Sequence, residues 1–255
     1  MTHILIVESN TPDMVARGNA DADPFLATLS VLDPALELSV AEPYAAPFDP
    51  GALEGVDAMV FTGSGVDWNT ADKRARPLAL AMEAGFAAGK PAFGACNGMQ
   101  LAAVVLGGGV GASPNGREVG VARDIKLTPV GRDHPMTAGR TDGFAVACVH
   151  RDEVQAVPQG AQILAGNAHS PVQAMACETG GVSFWGTQYH PECAAPVMAE
   201  WLRNGPADWA PLADDMIRAE SDMQAASRLG ATPGDLTLPR RATEIGNWLA
   251  HIRAA

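Results

Sequence analysis

One cysteine stands in Gly94-Ala95-Cys96-Asn97-Gly98-Met99-Gln100, between a short apolar run, Lys90-Pro91-Ala92-Phe93, and a longer one holding Met99, Leu101, Ala102, Val104, Val105 and Leu106. The first run reads as a strand and the second as a buried helix, so Cys96 falls on the corner between them. A side chain on so sharp a corner stands proud of the sheet edge, and Gly94 and Gly98 permit a backbone crossing that larger residues would block. The sulfur also lies at a helix N-terminus, where unpaired N–H groups and the macrodipole favour thiolate over thiol. That is the setting of a nucleophile. On this stretch alone a buried structural cysteine competes equally, because free cysteine is among the most buried residue types.

A cysteine nucleophile needs a base, and an apolar run starting at Val182 ends in Trp185-Gly186-Thr187-Gln188-Tyr189-His190-Pro191-Glu192. His190 can take the thiol proton and return it to a leaving amine, while Glu192 holds the imidazole in the useful tautomer and stabilises imidazolium. Pro191 stiffens the spacer. Singly, His190 reads as a satisfied histidine and Glu192 as a solvated charge. Jointly with the cysteine corner they spell a Cys-His-Glu triad.

These two motifs, G-x-C-x-G-x-Q and Gln-Tyr-His-Pro-Glu, resemble those of class I glutamine amidotransferases, from about His3 through Glu192 and the helix after it. Phe61-Thr62-Gly63-Ser64-Gly65, Asn115-Gly116-Arg117-Glu118-Val119-Gly120, His134-Pro135 and His150-Arg151-Asp152 further resemble stand-alone members similar to the amidotransferase half of GMP synthase. The resemblance implies attack of Cys96 on the side-chain amide of glutamine, release of ammonia, and hydrolysis of a glutamyl thioester. Oxyanion donors are then expected from the N–H of Asn97 and from the turn at Gly63 and Ser64, where the family's usual proline is absent. The resemblance also assigns substrate contacts to Gln100, Gly116 and Glu118, and places His150 with Asp152 near the mouth of the site. On residue type alone, Gln100 could merely cap the helix after Cys96, and His150 and Asp152 could be a solvated loop.

Other candidates carry less. Asp13, Asp21 and Asp23 lack the spacing of a calcium loop and read as a polar loop. Gly107-Gly108-Gly109 with Gly111 follows a helix rather than opening one, so it ends that helix and holds no phosphate. His3, His134, His169 and His251 are scattered, and Cys96, Cys148, Cys177 and Cys193 contain no Cys-x-x-Cys, so neither a metal nor another cofactor is expected. A net charge of −12 opposes nucleic-acid binding. No run approaches the ~20 apolar residues of a membrane span, and no basic leader precedes the first strand. With so few cysteines, a cytoplasmic enzyme is expected.

The elements that must position these residues alternate. Strands are expected at His3 to Glu8, Leu36 to Val40, Ala58 to Phe61 and Pro91 to Ala95, and helices at Ala20 to Leu32, Asp72 to Ala88 and Asn97 to Leu106. That order implies an α/β fold, an open, mostly parallel sheet flanked by helices, with the site beyond the carboxyl ends of its strands; the family resemblance makes it flavodoxin-like. Between Val121 and Val182 the runs Ile125 to Thr128, Phe144 to Val149, Gln162 to Gly166 and Val172 to Cys177 read as a small, partly antiparallel insertion. Residues 1–205 form the amidotransferase domain on this reading. Residues 206–255 form a helical extension packed on it, with stripes at Trp209, Leu212 and Met216 and at Ile245, Trp248, Leu249 and Ile252, broken at Gly230 to Gly234. No nucleotide-binding motif accompanies the site. The chain is therefore either the glutaminase subunit of a synthetase that accepts ammonia, or a free-standing hydrolase of glutamine or another γ-glutamyl compound. A glutamine-binding regulator without turnover is disfavoured by the intact triad. Pairing with a second copy stays open.

Overall fold

Short apolar runs buried on both faces build the parallel half of the sheet. The computed structural model describes residues 1–254. In it β1 (His3–Val7), β3 (Ala58–Phe61) and β4 (Ala92–Ala95) are nearly or fully buried, while β2 (Glu37–Ala41), with Glu37 and Ser39, takes the exposed edge. Alternation along β1 divides the core. Ile4 and Ile6 join one cluster, and Leu5 and Val7 join the cluster on the opposite face.

Along the first stretch of chain, α1 (Pro12–Val15) and α2 (Ala22–Leu32) follow β1, α3 (Arg76–Ala87) precedes β4, and α4 (Asn97–Val105) follows it. The middle of the chain supplies β5 (Gly109–Ala112), β6 (Glu118–Leu127), α5 (Pro129–Asp133), β7 (Phe144–His150), β8 (Asp152–Ala156), β9 (Ala161–Gly166), β10 (Ala174–Cys177) and β11 (Phe184–Thr187). Five helices close the chain: α6 (Ala195–Asn204), α7 (Ala210–Arg218), α8 (Met223–Leu229), α9 (Leu238–Arg241) and α10 (Thr243–Ala254).

Nine strands form one sheet in the order β2-β1-β3-β4-β11-β10-β9-β6-β7. Neighbours from β2 to β11 are parallel, and those from β11 to β7 are antiparallel. Strands β10, β9, β6 and β7 thus prolong the main sheet, while β5 and β8 pair apart from it. Helix α2 and the late helix α10 cover one face through Phe25, Trp248 and Leu249, and α3 and α4 cover the other through Leu78, Met82, Met99 and Leu101. A third cluster joins Val121, Ala145 and Ala147 of β6 and β7 to Met198 and Leu202 of α6, Met216 of α7 and Leu229 of α8. The Gly230 break has a local cause: α8 starts where Asp222 accepts from the N–H groups of Gln224 and Ala225, and ends at Gly230 with φ +78°.

Three elements depart from the sequence expectation. The run Ile125 to Thr128 is the tail of a ten-residue strand whose register shifts between Ala122 and Ile125, beside Asp124 at φ +49°. This irregularity breaks the period of two that marks a strand. Gly107 does end α4, at φ +87°, but Gly109 and Gly111 belong to β5, which pairs with β8 in a second, two-stranded sheet. His150 and Asp152 are not solvated; they close β7 and open β8, and both are buried.

Candidate active site

Cys96 sits between the end of β4 and the start of α4 with φ +49° and ψ −103°. A non-glycine residue held there costs about 1–3 kcal/mol, and such strain persists only where the surroundings enforce it. They do so through the Cys96 N–H, which donates to the Thr187 carbonyl at 2.7 Å, and the Cys96 carbonyl, which accepts from the Gln100 N–H at 3.0 Å. Both flanking glycines are sterically required: a Cβ on Gly94 would lie 2.6 Å from the Gly98 carbonyl carbon, and one on Gly98 would run into the Phe61 carbonyl. Cys96 is 7% exposed, and its sulfur lies 3.9 Å from the Val149 carbonyl oxygen.

Strand β11 runs parallel to β4 with Thr187 opposite Ala95, so the segments leaving both strands emerge side by side. The Thr187 hydroxyl donates to the Tyr189 carbonyl and the His190 N–H donates to the Ala147 carbonyl, which sets the course of the turn. His190 Nδ1 then lies 2.7 Å from Glu192 Oε1, with both side chains buried. Burial alone would lower the imidazole pKa. The negative charge of Glu192, paired with the ring, outweighs it and holds His190 well above its ordinary value. The ring edge also packs on Trp201 of α6, centroids 5.2 Å apart.

Four buried polar atoms in these two motifs have no hydrogen-bond partner: His190 Nε2, Glu192 Oε2, Asn97 Oδ1 and Gln188 Nε2. Each would cost about 1–3 kcal/mol in an ordinary core. Their concentration around Cys96 marks a place prepared for a polar ligand.

The Gly63 to Gly65 turn reaches the same place. Ser64 Oγ donates to the Ser9 carbonyl and to Asn10 Oδ1, which also accepts from the Gly65 N–H, so the turn is tied to the loop after β1. Gly63 packs so closely that a Cβ would lie 2.8 Å from His190 Cε1. Among the described residues the N–H groups of Gly63 and Ser64 meet no acceptor. As the first residue of α4, Asn97 likewise has no intrahelical acceptor for its N–H. These donors can face an oxyanion.

The remaining sequence candidates occupy a different hydrogen-bond network. Gln100 Nε2 is spent on the Asp152 carbonyl at 2.7 Å and on Gln188 Oε1 at 3.1 Å, which braces α4. Glu118 is buried and accepts from His150 Nε2, Asn167 Nδ2 and Gln173 Nε2. Burial would raise its pKa, but those hydrogen bonds hold it below the ordinary carboxylate value. The second nitrogen of His150 pairs with the Asp152 carbonyl at 3.0 Å. Gly116 turns at φ +79° on the surface, its carbonyl 3.3 Å from His169 Nε2. Gly116, Glu118 and His150 are therefore brought together, but none is hydrogen-bonded to Cys96, His190 or Glu192. Among the described residues two trios gather metal-ligand atoms within 4.8 Å, Glu118 with His150 and His169, and His190 with Glu192 and Cys193. In both, the histidine and the carboxylate already pair with each other.

Sequence reasoning overlooked three contributors. Asp21 does not lie in an open polar loop: it precedes α2 without capping it, and its Oδ2 would be 3.3 Å from a Cβ on Gly63. Burial and the charges of Glu8 and Glu192 push its carboxyl up to about 7, against the pull of His190. Glu8, buried, accepts from the N–H groups of Asn10 and Ala22 and so fixes the loop that carries Asp21. Arg241 of α9, also buried, donates to the Pro191 carbonyl at 2.7 Å and to Thr28 Oγ1 at 3.1 Å, and the Thr28 hydroxyl donates to the Glu192 carbonyl at 2.8 Å. Only the two flanking motifs carried a local signal; Asp21 and Arg241 reach the site through folding.

Residues 47–208 match the family described as Glutamine amidotransferase class-I. The chain is 35% identical to a γ-glutamyl-L-1-hydroxyisopropylamide hydrolase from a Pseudomonas species, over 82% of this chain and 78% of that one. It is 40% identical to the GMP synthase of Thermomicrobium roseum over 46% of this chain, a stretch spanning only 20% of the synthase. The fold is shared with a crystal structure of a glutamine amidotransferase from Thermotoga maritima, at a TM-score of 0.70 and 16% identity, covering 100% of this chain and 99% of that one. Among the described residues no helix is long and apolar enough to cross a membrane.

Proposed function

The chain belongs to the class I glutamine amidotransferase family, and from that premise we propose that it is a free-standing hydrolase of γ-glutamyl amides acting through a Cys96 thioester. The observation that carries this reading is the buried His190–Glu192 pair, whose Nε2 is left without a protein partner beside a strained cysteine. His190 Nε2 takes the thiol proton as Sγ bonds to the γ-carbonyl carbon. The N–H groups of Asn97 and of the Gly63–Ser64 turn receive the oxyanion, which is where preorganised donors contribute most. As the intermediate collapses, the C–N bond breaks and His190 returns the proton to the departing amine. Water attacks the thioester, its proton passes through His190 to the sulfur, and glutamate leaves. Glu192 keeps Nδ1 protonated throughout, so Nε2 is the nitrogen that exchanges protons.

Two relatives suggest two nitrogen substituents. Likeness to the amide hydrolase runs through most of both chains, which supports a substituted γ-glutamyl amide cleaved without a partner. The GMP synthase likeness is confined to a shorter stretch and supports glutamine, with ammonia handed to a synthetase. Glutamate release by the isolated chain from glutamine and from a γ-glutamyl alkylamide separates them. Brisk alkylamide cleavage that Cys96→Ala abolishes is the expected result. Activity on glutamine alone, appearing only with a synthetase, would overturn the free-standing hydrolase.

A further inference from the structure

A cavity of about 280 Å³ opens beside His190 and is lined by Asp21, Asn19, Met14, Trp201 and Asn204. Ser64, Gly65 and Val149 connect it to the oxyanion turn and the sulfur's surroundings, whereas Cys96, Asn97 and Gln100 do not line it. It therefore borders His190 and the oxyanion turn without being lined by the nucleophile. The proton returned to the amine comes from His190 Nε2, so the scissile nitrogen must face that ring. A substituent on that nitrogen finds this space open beside the same ring.

The walls state what would fit. Trp201, Met14 and Val149 offer apolar surface for a short carbon chain. Asp21, Asn19 and Asn204 offer polar atoms, and the Asp21 carboxylate is not used to cap α2. No Lys or Arg lines the cavity, and Glu8 and Glu192 add negative charge around Asp21. A carboxylate on the amine would meet acidic walls with no cation but the imidazole itself. A hydroxyl or ammonium would meet an acceptor.

We propose that this cavity is the leaving-amine site and that Asp21 selects γ-glutamyl amides of small amines carrying a hydrogen-bond donor, hydroxyl or ammonium, and rejects γ-glutamyl peptides, whose amine carries a carboxylate. This rests on the hydrolase reading above and names its substrate class. Above about pH 8, where the Asp21 carboxyl, pushed up to about 7, is ionised, a hydrogen bond to it separates matched from unmatched substrates by about 10- to 100-fold.

Four γ-glutamyl amides of nearly equal size test it: the 2-hydroxyethylamide, the 2-aminoethylamide, the propylamide and the glycine conjugate. For the wild-type chain, kcat/KM for the better of the first two should exceed that for the propylamide by at least about 10-fold, with the glycine conjugate slowest. The order of the first two tells hydroxyl from ammonium. Asp21→Asn should bring the glycine conjugate within about threefold of the propylamide, and Asp21→Ser should erase the advantage of the donor-bearing amides. Because each comparison is a ratio of two substrates on one preparation, a partly unfolded variant does not distort it. Four equal rates, or ratios unmoved by either substitution, would overturn the role of Asp21 and leave the hydrolase reading standing. No cleavage of any of the four or of glutamine would overturn both.

Discussion

Replacing Arg241 by methionine should lower turnover without unfolding the chain, although Arg241 lies outside the residues matched to the amidotransferase family. Its guanidinium holds the Pro191 carbonyl directly and the Glu192 carbonyl through Thr28, so both peptide groups flanking Glu192 are pinned from α9. Methionine fills much of the stem's volume but leaves the Pro191 carbonyl unpaired. That costs about 1–3 kcal/mol, which a domain with about 5–15 kcal/mol of stability survives. The catalytic effect should be larger than the structural one, because a misplacement of about 1 Å can cost 100-fold when the reacting groups are prealigned. We expect kcat to fall about 10- to 100-fold with KM within about threefold, since the Arg241 side chain bonds to the Pro191 carbonyl and Thr28 and touches no substrate in the proposed mechanism. Arg241→Lys, which keeps a charge but not the fork, should recover part of the loss. Steady-state kinetics on a γ-glutamyl amide, with a thermal melt on the same preparation, reads both quantities. A folded Arg241→Met variant with kcat within twofold of the wild type would refute the reasoning, as would activity that merely tracks the folded fraction.

An electrophilic glutamine analogue should label Cys96 alone. Cys193 is pushed up to about 12 by burial beside Glu192, and burial with Glu118 nearby drives Cys148 well above its ordinary value; peptide mapping that finds the label on either would move the active site. Gly63→Ala should cut turnover by about 100-fold or more, because its methyl would displace the imidazole and the oxyanion turn together; near-native kcat would show that the turn gives way freely. Asp21 titrates near 7 in the folded chain against an ordinary 3.8, so the folded state binds its proton more tightly and stability falls as pH rises from about 4 to about 7. Asp21→Asn should flatten that slope and stabilise the chain above pH 7 by up to about 4 kcal/mol; parallel pH profiles in urea unfolding would count against it.

The chemistry was legible where neighbours in sequence are neighbours in space. The cysteine corner depends on Gly94 and Gly98, and the His-Pro-Glu turn keeps its acid–base pair within three residues. Positions of β1, β3, β4 and α4 followed because doubly buried strands and an apolar helix are locally uniform. Strand β5, Gly109–Ala112, was missed because glycine and alanine carry no β preference. The first half of β6 was missed because its register shift at Ala122 to Ile125 breaks the alternation. Glu118 was expected to contact substrate and His150 to lie near the mouth of the site, and only the fold reveals that they face each other across β6 and β7. Asp21 and Arg241 reach the site from opposite ends of the chain, and no local pattern encodes that meeting.

The in-register pairing of β4 with β11 also constrains when the site can exist. Gly94 and Gly186, about 90 residues apart in the chain, are sheet partners, and closing so long a loop is an entropic cost met only late, once the intervening strands hold β11 in place. On the proposed mechanism, a chain still emerging from the ribosome has its cysteine corner long before it has a base. Until β11 slots between β4 and β10, the thiol is made but unarmed, and recovered hydrolysis during refolding should lag behind recovered secondary structure.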